Sequence, residues 1–354
     1  MLQKRETTGG AGPIGALCGR RFLCALAAAL ASLGVVLLLL PGCGTSSGPS
    51  EPLTREESIP DDAVKMTPET DHYPPVIHSA EWEEPVPLPG PVNTAGVEDA
   101  PVVTRDGQRF VFFFTPDGNL PAETQLVDGV SGVWWCETDR SGWGRAPANE
   151  RAWTEPERAM LGGDPALDGP FCCPGDTLWF GSFRTGNYLT DGDIYTARFT
   201  GSGWTDVSNA GSQLNGDYNS GELAVAGDIM VFDRSGDGGY GGQDLWETHR
   251  TGRGWTEPEN LGPVINSAGH ESRPWLSADG DELWFTAWSQ SGYAGPSVYR
   301  TTRAGTTWVE PEEIISNYSG DPGLDDAGNI YFTHLFYDTL GQKIEADIYV
   351  AYRR

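Results

Sequence analysis

The feature that most constrains the fold is a short motif of tryptophan, an acidic residue and proline that recurs along the chain. It is clearest in "GWTEPENLG" at Gly254–Gly262 and in "AWTEPER" at Ala152–Arg158. The tryptophans of successive copies lie 71, 51, 51 and 53 residues apart, at Trp82, Trp153, Trp204, Trp255 and Trp308. A period near fifty in a sequence of strand-like composition is typical of a β-propeller or a similar array.

Each repeat contains the pattern of four short strands. In the fourth repeat, "RPWLS", "LWFTAWS" and "SVYRTTR" are aromatic and β-branched runs bounded by turn residues, and the tryptophan segment follows them. Four antiparallel strands make one propeller blade. The segment at Trp82 has no partners before it, whereas the last repeat ends at Arg354 without a fourth strand. We therefore predict an all-β fold, a single five-bladed propeller over residues 80–354, in which the N-terminal strand completes the last blade.

Two segments carry a resemblance to a known family. They are "NLGPVINSAGHESRPWLSADGDELWFTAW" (Asn260–Trp288) and "GGYGGQDLWETHRTGRGWTEPENLG" (Gly238–Gly262). The chain resembles the WD40-like propeller repeats of the TolB type, which occur in bacterial envelope proteins. The resemblance implies a propeller but not a specific activity, because such repeats serve many purposes.

The N-terminus has the composition of a leader. Lys4, Arg5, Arg20 and Arg21 precede an apolar run that ends just before Pro41, Gly42 and Cys43. This resembles a bacterial lipoprotein signal peptide over residues 1–42, in which Cys43 is lipidated. The alternative is an uncleaved membrane anchor, because the apolar run is longer than that of an ordinary signal peptide. Both interpretations place the remainder outside the cytoplasm, and Gly44 after the cysteine favours the outer membrane where one exists.

The segment after the leader and the overall charge complete this picture. Residues 43–79 are rich in Ser, Pro, Thr and acids, which predicts a lipidated cysteine followed by a disordered tether. The chain has a formal net charge of −27, and the leader holds four basic residues and one acid, so the remainder has −30. Such a surface repels nucleic acid and anionic lipid. We expect a monomeric propeller attached to the membrane through its lipid.

Three cysteines remain in a compartment that permits disulfides: Cys136, Cys172 and Cys173. Either Cys136 pairs with one of the adjacent two, or Cys172 and Cys173 pair with each other. The cysteines have no CxxC spacing, which argues against a zinc site.

Acidic residues enter the predicted inner strands of every blade, and these could surround a central channel. They are Glu98, Asp99, Asp168, Glu222, Glu271 and Asp321. Five-bladed glycoside hydrolases use paired carboxylates in that location. The alternative is that these acids bind loop amides between blades. We favour this second interpretation, so no catalytic residue is predicted, and Glu98, Asp168, Glu222, Glu271 and Asp321 form the alternative catalytic set.

A glycine-rich loop, "DRSGDGGYGGQD" at Asp233–Asp244, is similar to the opening of a calcium-binding loop. Asp233, Ser235, Asp237 and Asp244 supply oxygens near a tight turn. However, Asp193 and Asp347 stand at the position of Asp244 in other repeats, which favours a structural role. No cofactor is expected, and calcium is the one candidate ion.

The long loops between the second and third strands share one face with the connections between blades, so we place the binding face there. Its candidate residues are Tyr188, Tyr218, Tyr240, His270, Tyr293, His334 and Tyr337. Aromatic side chains beside acids suit contacts with sugars or proteins. We therefore predict a lipid-anchored envelope propeller that binds a protein partner or a polysaccharide without catalysis. The alternative is an extracytoplasmic glycoside hydrolase-like enzyme that uses the channel carboxylates.

Overall fold

The computed structural model describes residues 54–354 except 89, 139–152, 163–165, 191 and 219. The predicted leader, Cys43 and the start of the predicted tether lie outside the described residues. Within these residues, helical structure is confined to α1 (Arg55–Ser58), α2 (Ala122–Gln125) and one π-helical turn (Gln213–Asp217). No helix among the described residues is long and apolar enough to cross a membrane.

The strands follow the predicted repeats. Two short strands come first: β1 (Val76–Ile77) and β2 (Val86–Pro87). Group 1 contains β3 (Val97–Val103), β4 (Arg109–Thr115), β5 (Gly132–Glu137) and β6 (Glu157–Arg158). Group 2 contains β7 (Leu167–Cys172), β8 (Thr177–Phe183), β9 (Asp193–Phe199) and β10 (Trp204–Asn209). Group 3 contains β11 (Leu223–Ala226), β12 (Ile229–Ser235), β13 (Gln243–Thr251), β14 (Gly254–Trp255) and β15 (Glu259–Asn260).

The remaining strands form two further groups. Group 4 contains β16 (Glu271–Leu276), β17 (Glu282–Trp288), β18 (Pro296–Ala304), β19 (Thr307–Trp308) and β20 (Glu312–Ser316). Group 5 contains β21 (Ser319–Leu324), β22 (Ile330–Tyr337) and β23 (Lys343–Ala351). Within each group the strands pair antiparallel, and β14 and β15 both pair with β13, as β19 and β20 do with β18. The prediction of an all-β fold with antiparallel sheets is confirmed.

The first strand of each group, which we call its inner strand, contacts the inner strand of the next group. These contacts link β3, β7, β11, β16 and β21 in that order, and β21 contacts β3 again. Groups 5 and 1 also share a parallel bridge between Ala346 and Val97, so their strands form one hydrogen-bonded sheet. Strand β2 pairs antiparallel with β23, where Val86 faces Val350.

The apolar core is divided among the interfaces between neighbouring groups. In group 1, Phe110 and Phe112 pack toward group 5, whereas Val111 packs toward group 2. This division follows from the alternation of side chains along a strand, and it explains why "RFVFFFT" is apolar almost throughout. Similar clusters lie between groups 2 and 3, 3 and 4, and 4 and 5.

The repeated tryptophan packs at these interfaces. Trp153 lies against Phe110, with ring centroids 5.2 Å apart, and Trp82 lies against Trp284 at 5.7 Å. An arginine stacks on several of the indoles. Arg250 lies over Trp255 at 4.5 Å and Arg303 over Trp308 at 4.1 Å. The motif is therefore a structural element of the core.

The N-terminal strap, residues 54–78, is the main difference from the sequence prediction. The guanidinium of Arg55 is buried, donates to the carbonyls of Val92 (2.8 Å) and Pro91 (2.7 Å), and lies over the ring of Phe112 at 5.4 Å. Farther along, Met66 is buried in the core between groups 4 and 5, and β1 adds to the edge of group 4 beside β20. The expectation of a disordered tether up to residue 79 is therefore wrong for residues 54–79. A polar composition does not prevent order when a few side chains find matching partners.

Candidate functional site at the channel mouth

A proline interrupts four of the five inner strands at the same level. These prolines are Pro101, Pro170, Pro274 and Pro322. In each of these strands the pairing register shifts beside the proline, which marks a β-bulge. Three residues that directly precede a proline have left-handed backbone conformations: Ala100 (φ 52°), Arg273 (φ 54°) and Asp321 (φ 57°). Such a conformation is unfavourable for residues other than glycine and is commonly retained at functional sites.

The bulges turn polar side chains of distant repeats into one central pocket. Its wall includes residues from all five groups, among them Ala100, Phe171, Glu222, Arg273 and Asp321. Antiparallel pairing places the start of an inner strand beside the end of the second strand, as in the pair Asp168 and Ser182. This end of the channel therefore opens on the face that carries the loops between second and third strands.

Arg273 is the centre of the polar cluster that we call the channel mouth: Asp99, Glu222, Arg273 and Asp321. Its Nη1 lies 2.7 Å from Asp321 Oδ2, and its Nε lies 3.1 Å from Glu222 Oε2. Asp99 Oδ1 accepts hydrogen bonds from Thr333 Oγ1 (2.8 Å) and from the backbone N–H of Ala100 (2.8 Å). The guanidinium of Arg273 thus pairs with the carboxyl groups of Glu222 and Asp321, and its charge also acts on that of Asp99.

The three carboxyl groups have different protonation preferences. Burial raises the pKa of Asp321 well above its ordinary value; the charge of Arg273 opposes this rise, and the charges of Asp99 and Glu222 add to it. Burial also raises the pKa of Glu222, although Arg273 opposes it. Burial would raise the pKa of Asp99 too, but Arg273 and hydrogen bonds from Asp321 and Thr333 outweigh it, so the pKa is lowered. A proton on Asp321 donated to ionised Asp99 accounts for both directions.

Three other acids that the sequence proposed for the channel bind elsewhere. Glu98 accepts hydrogen bonds from the N–H (3.0 Å) and Oγ1 (2.6 Å) of Thr94. Glu271 accepts the equivalent pair from the N–H (2.9 Å) and Oγ (2.5 Å) of Ser267. Asp168 pairs with Arg184 at 2.8 Å. The structure therefore brings Glu222 and Asp321 together with Asp99, while Glu98, Asp168 and Glu271 stabilise loops.

Arg273 was not among the residues selected from the sequence. A signal for it was present, because a residue followed by proline recurs in the inner strands as Ala100-Pro101, Gly169-Pro170, Arg273-Pro274 and Asp321-Pro322. Aligning the repeats on these prolines would have placed Arg273 and Asp321 at equivalent positions.

The candidate calcium loop is held by its own hydrogen bonds. Asp244 accepts from the N–H groups of Tyr240 (2.6 Å) and Gly241 (3.2 Å), and Asp233 accepts from Gln243 Nε2 (3.0 Å). Ser235 and Asp237 are exposed. Among the described residues, no group of three or more His, Cys, Asp or Glu side chains is arranged to hold a metal ion. A calcium ion at this loop would have to displace those donors.

Asp193 shows the same arrangement in group 2. It accepts from the N–H groups of Tyr188 (2.8 Å) and Leu189 (3.1 Å) and from Asn209 Nδ2 (2.7 Å). The repeated aspartate is thus an anchor for the loop between the second and third strands.

The predicted binding-face residues separate into exposed and buried sets. Tyr188, Tyr240 and Tyr293 are exposed by 60%, 52% and 39%, and Trp288 beside them by 48%. Tyr188, Tyr240 and Tyr293 lie in the loop between the second and third strands of groups 2, 3 and 4, and Trp288 ends the strand β17 that enters this loop in group 4. By contrast, Tyr218 Oη donates to the carbonyl of Thr256 at 2.7 Å.

The other three predicted residues are engaged within the fold. His334 is fully buried beside Asp71 (2.9 Å), and Tyr337 stacks on Tyr318 with ring centroids 4.2 Å apart. His270 accepts a hydrogen bond from the N–H of Gln243 at 3.1 Å. Together with Tyr218, they do not offer a free aromatic surface.

The three cysteines are free thiols, so neither predicted pairing forms. Cys136 packs between groups 5 and 1, and Cys173 between groups 1 and 2. Cys172 lies at the other end of the channel, near Arg105 and Trp275. Adjacent residues of a strand face opposite sides, which separates the thiols of Cys172 and Cys173.

The chain has similarities to known proteins at the level of structure. No protein-family model matches the chain, and no curated protein matches it. Among solved structures, it is similar to TolB from Acinetobacter baumannii, with 15% identity and a TM-score of 0.39, over 74% of this chain and 56% of TolB. A protein of unknown function from Dyadobacter fermentans has 12% identity and a TM-score of 0.44, over 79% of this chain and 100% of its own.

A third similar structure is the native arabinanase Arb43A of Bacillus subtilis. It has 11% identity and a TM-score of 0.42, over 73% of this chain and 94% of the arabinanase. The similar structures thus include TolB and other propeller folds, consistent with a β-propeller. Sequence identities and TM-scores this low do not indicate the activity of this chain.

Proposed function

We propose that the described chain is a five-bladed propeller whose N-terminal strand completes the last blade. Support comes from the position of Trp82, which bridges to Arg353, while the indole lies 4.4 Å from the Arg353 guanidinium. This is the geometry that Arg250 and Trp255 adopt within one hairpin. The segment around Trp82 comes from the N-terminal end of the chain and thus occupies the position of a fourth strand in the last group.

We propose further that the propeller is a non-catalytic binding module of the cell envelope, anchored through a lipid on Cys43. Its ligand is a protein partner or a polysaccharide. The observation that carries this proposal is the row of exposed aromatic residues, Tyr188, Tyr240, Trp288 and Tyr293, in or at the start of the same loop of three consecutive groups. Exposed aromatic side chains are enriched where proteins bind partners. The net charge of −27 argues against nucleic acid as the ligand.

The channel mouth supports binding more than catalysis. Arg273 lies between Glu222 and Asp321, so both carboxyl groups face an internal cation. General acid–base catalysis requires carboxyl groups that reach the substrate directly. The four prolines of the inner strands line the same pocket.

The test is capture of envelope proteins and glycans by the full-length protein, compared with a Tyr188→Ser/Tyr240→Ser variant. Loss of one or two aromatic anchors should weaken binding of the captured ligand by roughly tenfold or more. Val309→Ser, at an exposed residue of the outer edge, is the matched control and should bind as the wild type does. Equal capture by all three proteins would contradict the proposed face, and the class of captured molecule separates protein from polysaccharide.

A second candidate function is a glycoside hydrolase-like activity. The observation in its favour is the convergence of Glu222 and Asp321 in one pocket, with Asp99 beside Asp321. Turnover of a glycan panel by the wild type that falls by about a hundredfold or more in both Glu222→Gln and Asp321→Asn would establish it. Absence of turnover, or turnover that survives both changes, would exclude this candidate.

A further inference from the structure

A cleft opens beside the channel mouth, between groups 2 and 3. Group 2 contributes Phe171 and Phe183, and group 3 contributes Ser220, Gly221 and Glu222. Phe171 and Glu222 also line the central pocket, so the cleft and the channel mouth are continuous. No residue of the cleft belongs to the aromatic row on the neighbouring loops.

The hydroxyl of Ser220 is the observation that points to a ligand. The residue is only 6% exposed, and its Oγ has no hydrogen-bond partner among the described residues. Buried hydroxyl groups are nearly always hydrogen-bonded, because an unpaired one loses its hydration without compensation. An unpaired buried hydroxyl in the wall of a cleft is therefore suited to a polar group that enters from outside.

The charges around the cleft favour a cation. Asp99, Glu222 and Asp321 face the single guanidinium of Arg273, so an excess of negative charge remains even when one proton is shared. Other charged groups that line the cleft or lie close to it have partners of their own. Asp193 is engaged by backbone N–H groups, Arg184 is held by Asp168 at 2.8 Å, and Asp233, behind Gly221, accepts from Gln243 Nε2 at 3.0 Å. Glu222 is thus the carboxylate of the channel mouth that also lines the cleft.

Two aromatic rings are held in place by glycines. A Cβ at Gly181 would lie 2.7 Å from the ring of Phe171, and one at Gly192 would lie 2.9 Å from the ring of Phe183. Each glycine therefore lets a phenylalanine ring rest on the backbone, which gives the cleft a preformed aromatic wall. The face of such a ring attracts a cation.

From these contacts we propose that the cleft binds a primary ammonium group. Glu222 forms the ion pair, Ser220 Oγ accepts a hydrogen bond, and the rings of Phe171 and Phe183 contact the attached methylene chain. The ammonium belongs either to a free aliphatic amine or to a lysine side chain on a bound protein. The second source rests on the proposed binding function, whereas the first does not.

The experiment is a titration of the full-length protein with n-butylammonium chloride, followed by ligand-observed NMR. We expect a dissociation constant on the order of 1–10 mM, as for a single small group. Butan-1-ol and tetramethylammonium are the matched probes, since the first lacks the charge and the second lacks N–H donors. Each should bind about tenfold more weakly.

The variants test the named contacts. Glu222→Gln should weaken butylammonium binding by about tenfold or more, and Ser220→Ala by about fivefold. Glu310→Gln removes the same charge from an exposed position and should leave binding within about twofold. Ser220→Ala should also leave the melting temperature unchanged or raised, because it removes an unpaired buried hydroxyl. If the Glu222→Gln variant does not fold, the effect of Ser220→Ala on butylammonium binding tests the proposal.

Two results would overturn the proposal: butan-1-ol binding as tightly as butylammonium, or equal effects of Glu310→Gln and Glu222→Gln. A further probe, Nα-acetyl-lysine amide, identifies the source. Binding equal to that of butylammonium supports a lysine of a partner, and binding at least about tenfold weaker supports a free amine. Partner capture that depends on Tyr188 and Tyr240 but not on Glu222 would support the proposed binding function and contradict the capture of a partner's lysine by the cleft.

Discussion

Glu313 illustrates how one carboxylate can organise a loop at the scale of single residues. It accepts hydrogen bonds from Ser289 Oγ (2.7 Å), Ser291 Oγ (2.6 Å) and Ser316 Oγ (2.5 Å). Burial raises its pKa, but these hydrogen bonds outweigh burial and hold the pKa at about 2. The ionised form is therefore the one that the fold stabilises.

This predicts a specific dependence of stability on pH. Because the pKa of Glu313 is lower in the folded state, its contribution is complete above the unfolded pKa and is lost as the pH falls toward about 2. Glu313→Gln should lower the free energy of unfolding at pH 7, and the difference from wild type should shrink between about pH 4.5 and pH 2. Urea unfolding at several pH values measures this. Glu312→Gln, at the exposed neighbour, should show no such trend, and a difference that stays constant with pH would contradict the assignment.

At the same scale, sequence reasoning about the acids was only partly able to identify the site. It selected acids at the entrance of the inner strands, and Glu222 and Asp321 do meet at the channel mouth. It could not separate them from Glu98 and Glu271, which stand at similar positions but bind Thr94 and Ser267. The difference depends on bulges and on left-handed backbone at Arg273 and Asp321, which no local propensity specifies.

At the scale of elements, a repeated asparagine links three of the connections to a strand of the neighbouring group. Asn266 accepts from the N–H of Leu245 (2.8 Å) and donates to the carbonyl of Leu245 (2.9 Å) and to Asn260 Oδ1 (2.8 Å). Asn215 makes the equivalent bonds to Ile194, and Asn93 to Ile348. Asn93 bonds the last strand of the chain, so the segment after β2 is anchored like the internal connections.

Asn266→Ala should lower the free energy of unfolding by about 2–3 kcal/mol, since it leaves the buried N–H of Leu245 without its partner and removes one of the two hydrogen bonds to the Leu245 carbonyl. Asn215→Ala should behave alike because its bonds are the same. Chemical denaturation measures both, and Asn119→Ala, at an exposed position, should stay within about 0.5 kcal/mol of wild type. A loss at Asn266 no larger than that at Asn119 would show that the connection is held by other contacts.

At the scale of the whole molecule, the N-terminal strap spans the seam where the last group meets the first. Arg55 lies over three rings contributed by group 1, those of Phe112, Phe114 and Trp134. Lys65 pairs with Glu345 and Asp347 of group 5. The strand pairing between groups 5 and 1 is a single parallel bridge among the described residues, so the strap adds contacts where this pairing is sparse.

We expect Arg55→Ala to destabilise the protein by about 2–4 kcal/mol, because it leaves two buried carbonyls and Glu98 without their partner. Arg55→Lys should recover only part of this loss, since an ammonium lacks the planar fork that reaches both carbonyls. Thermal unfolding and limited proteolysis of the strap measure the effect. Glu56→Gln, at an exposed neighbour, is the control, and a melting temperature of Arg55→Ala equal to that of the control would contradict a role for the strap.

The sequence by itself determined the all-β character, the repeated strand pattern and the place of the tryptophans in the core. These features are encoded locally, because side-chain alternation and turn residues act over a few positions. The same local information misjudged the strap, whose order depends on Arg55 meeting carbonyls at Pro91 and Val92 and rings at Phe112 and Trp134.

Only the tertiary structure decided which polar groups meet. Asp99, Glu222, Arg273 and Asp321 come from four different repeats, and the unpaired hydroxyl of Ser220 becomes visible only when groups 2 and 3 are side by side. A repeat dictates that each inner strand reaches the centre, but it does not dictate which side chain a bulge turns inward. The site therefore arises where the repeats differ, from charges that are far apart in the chain and adjacent only around the channel.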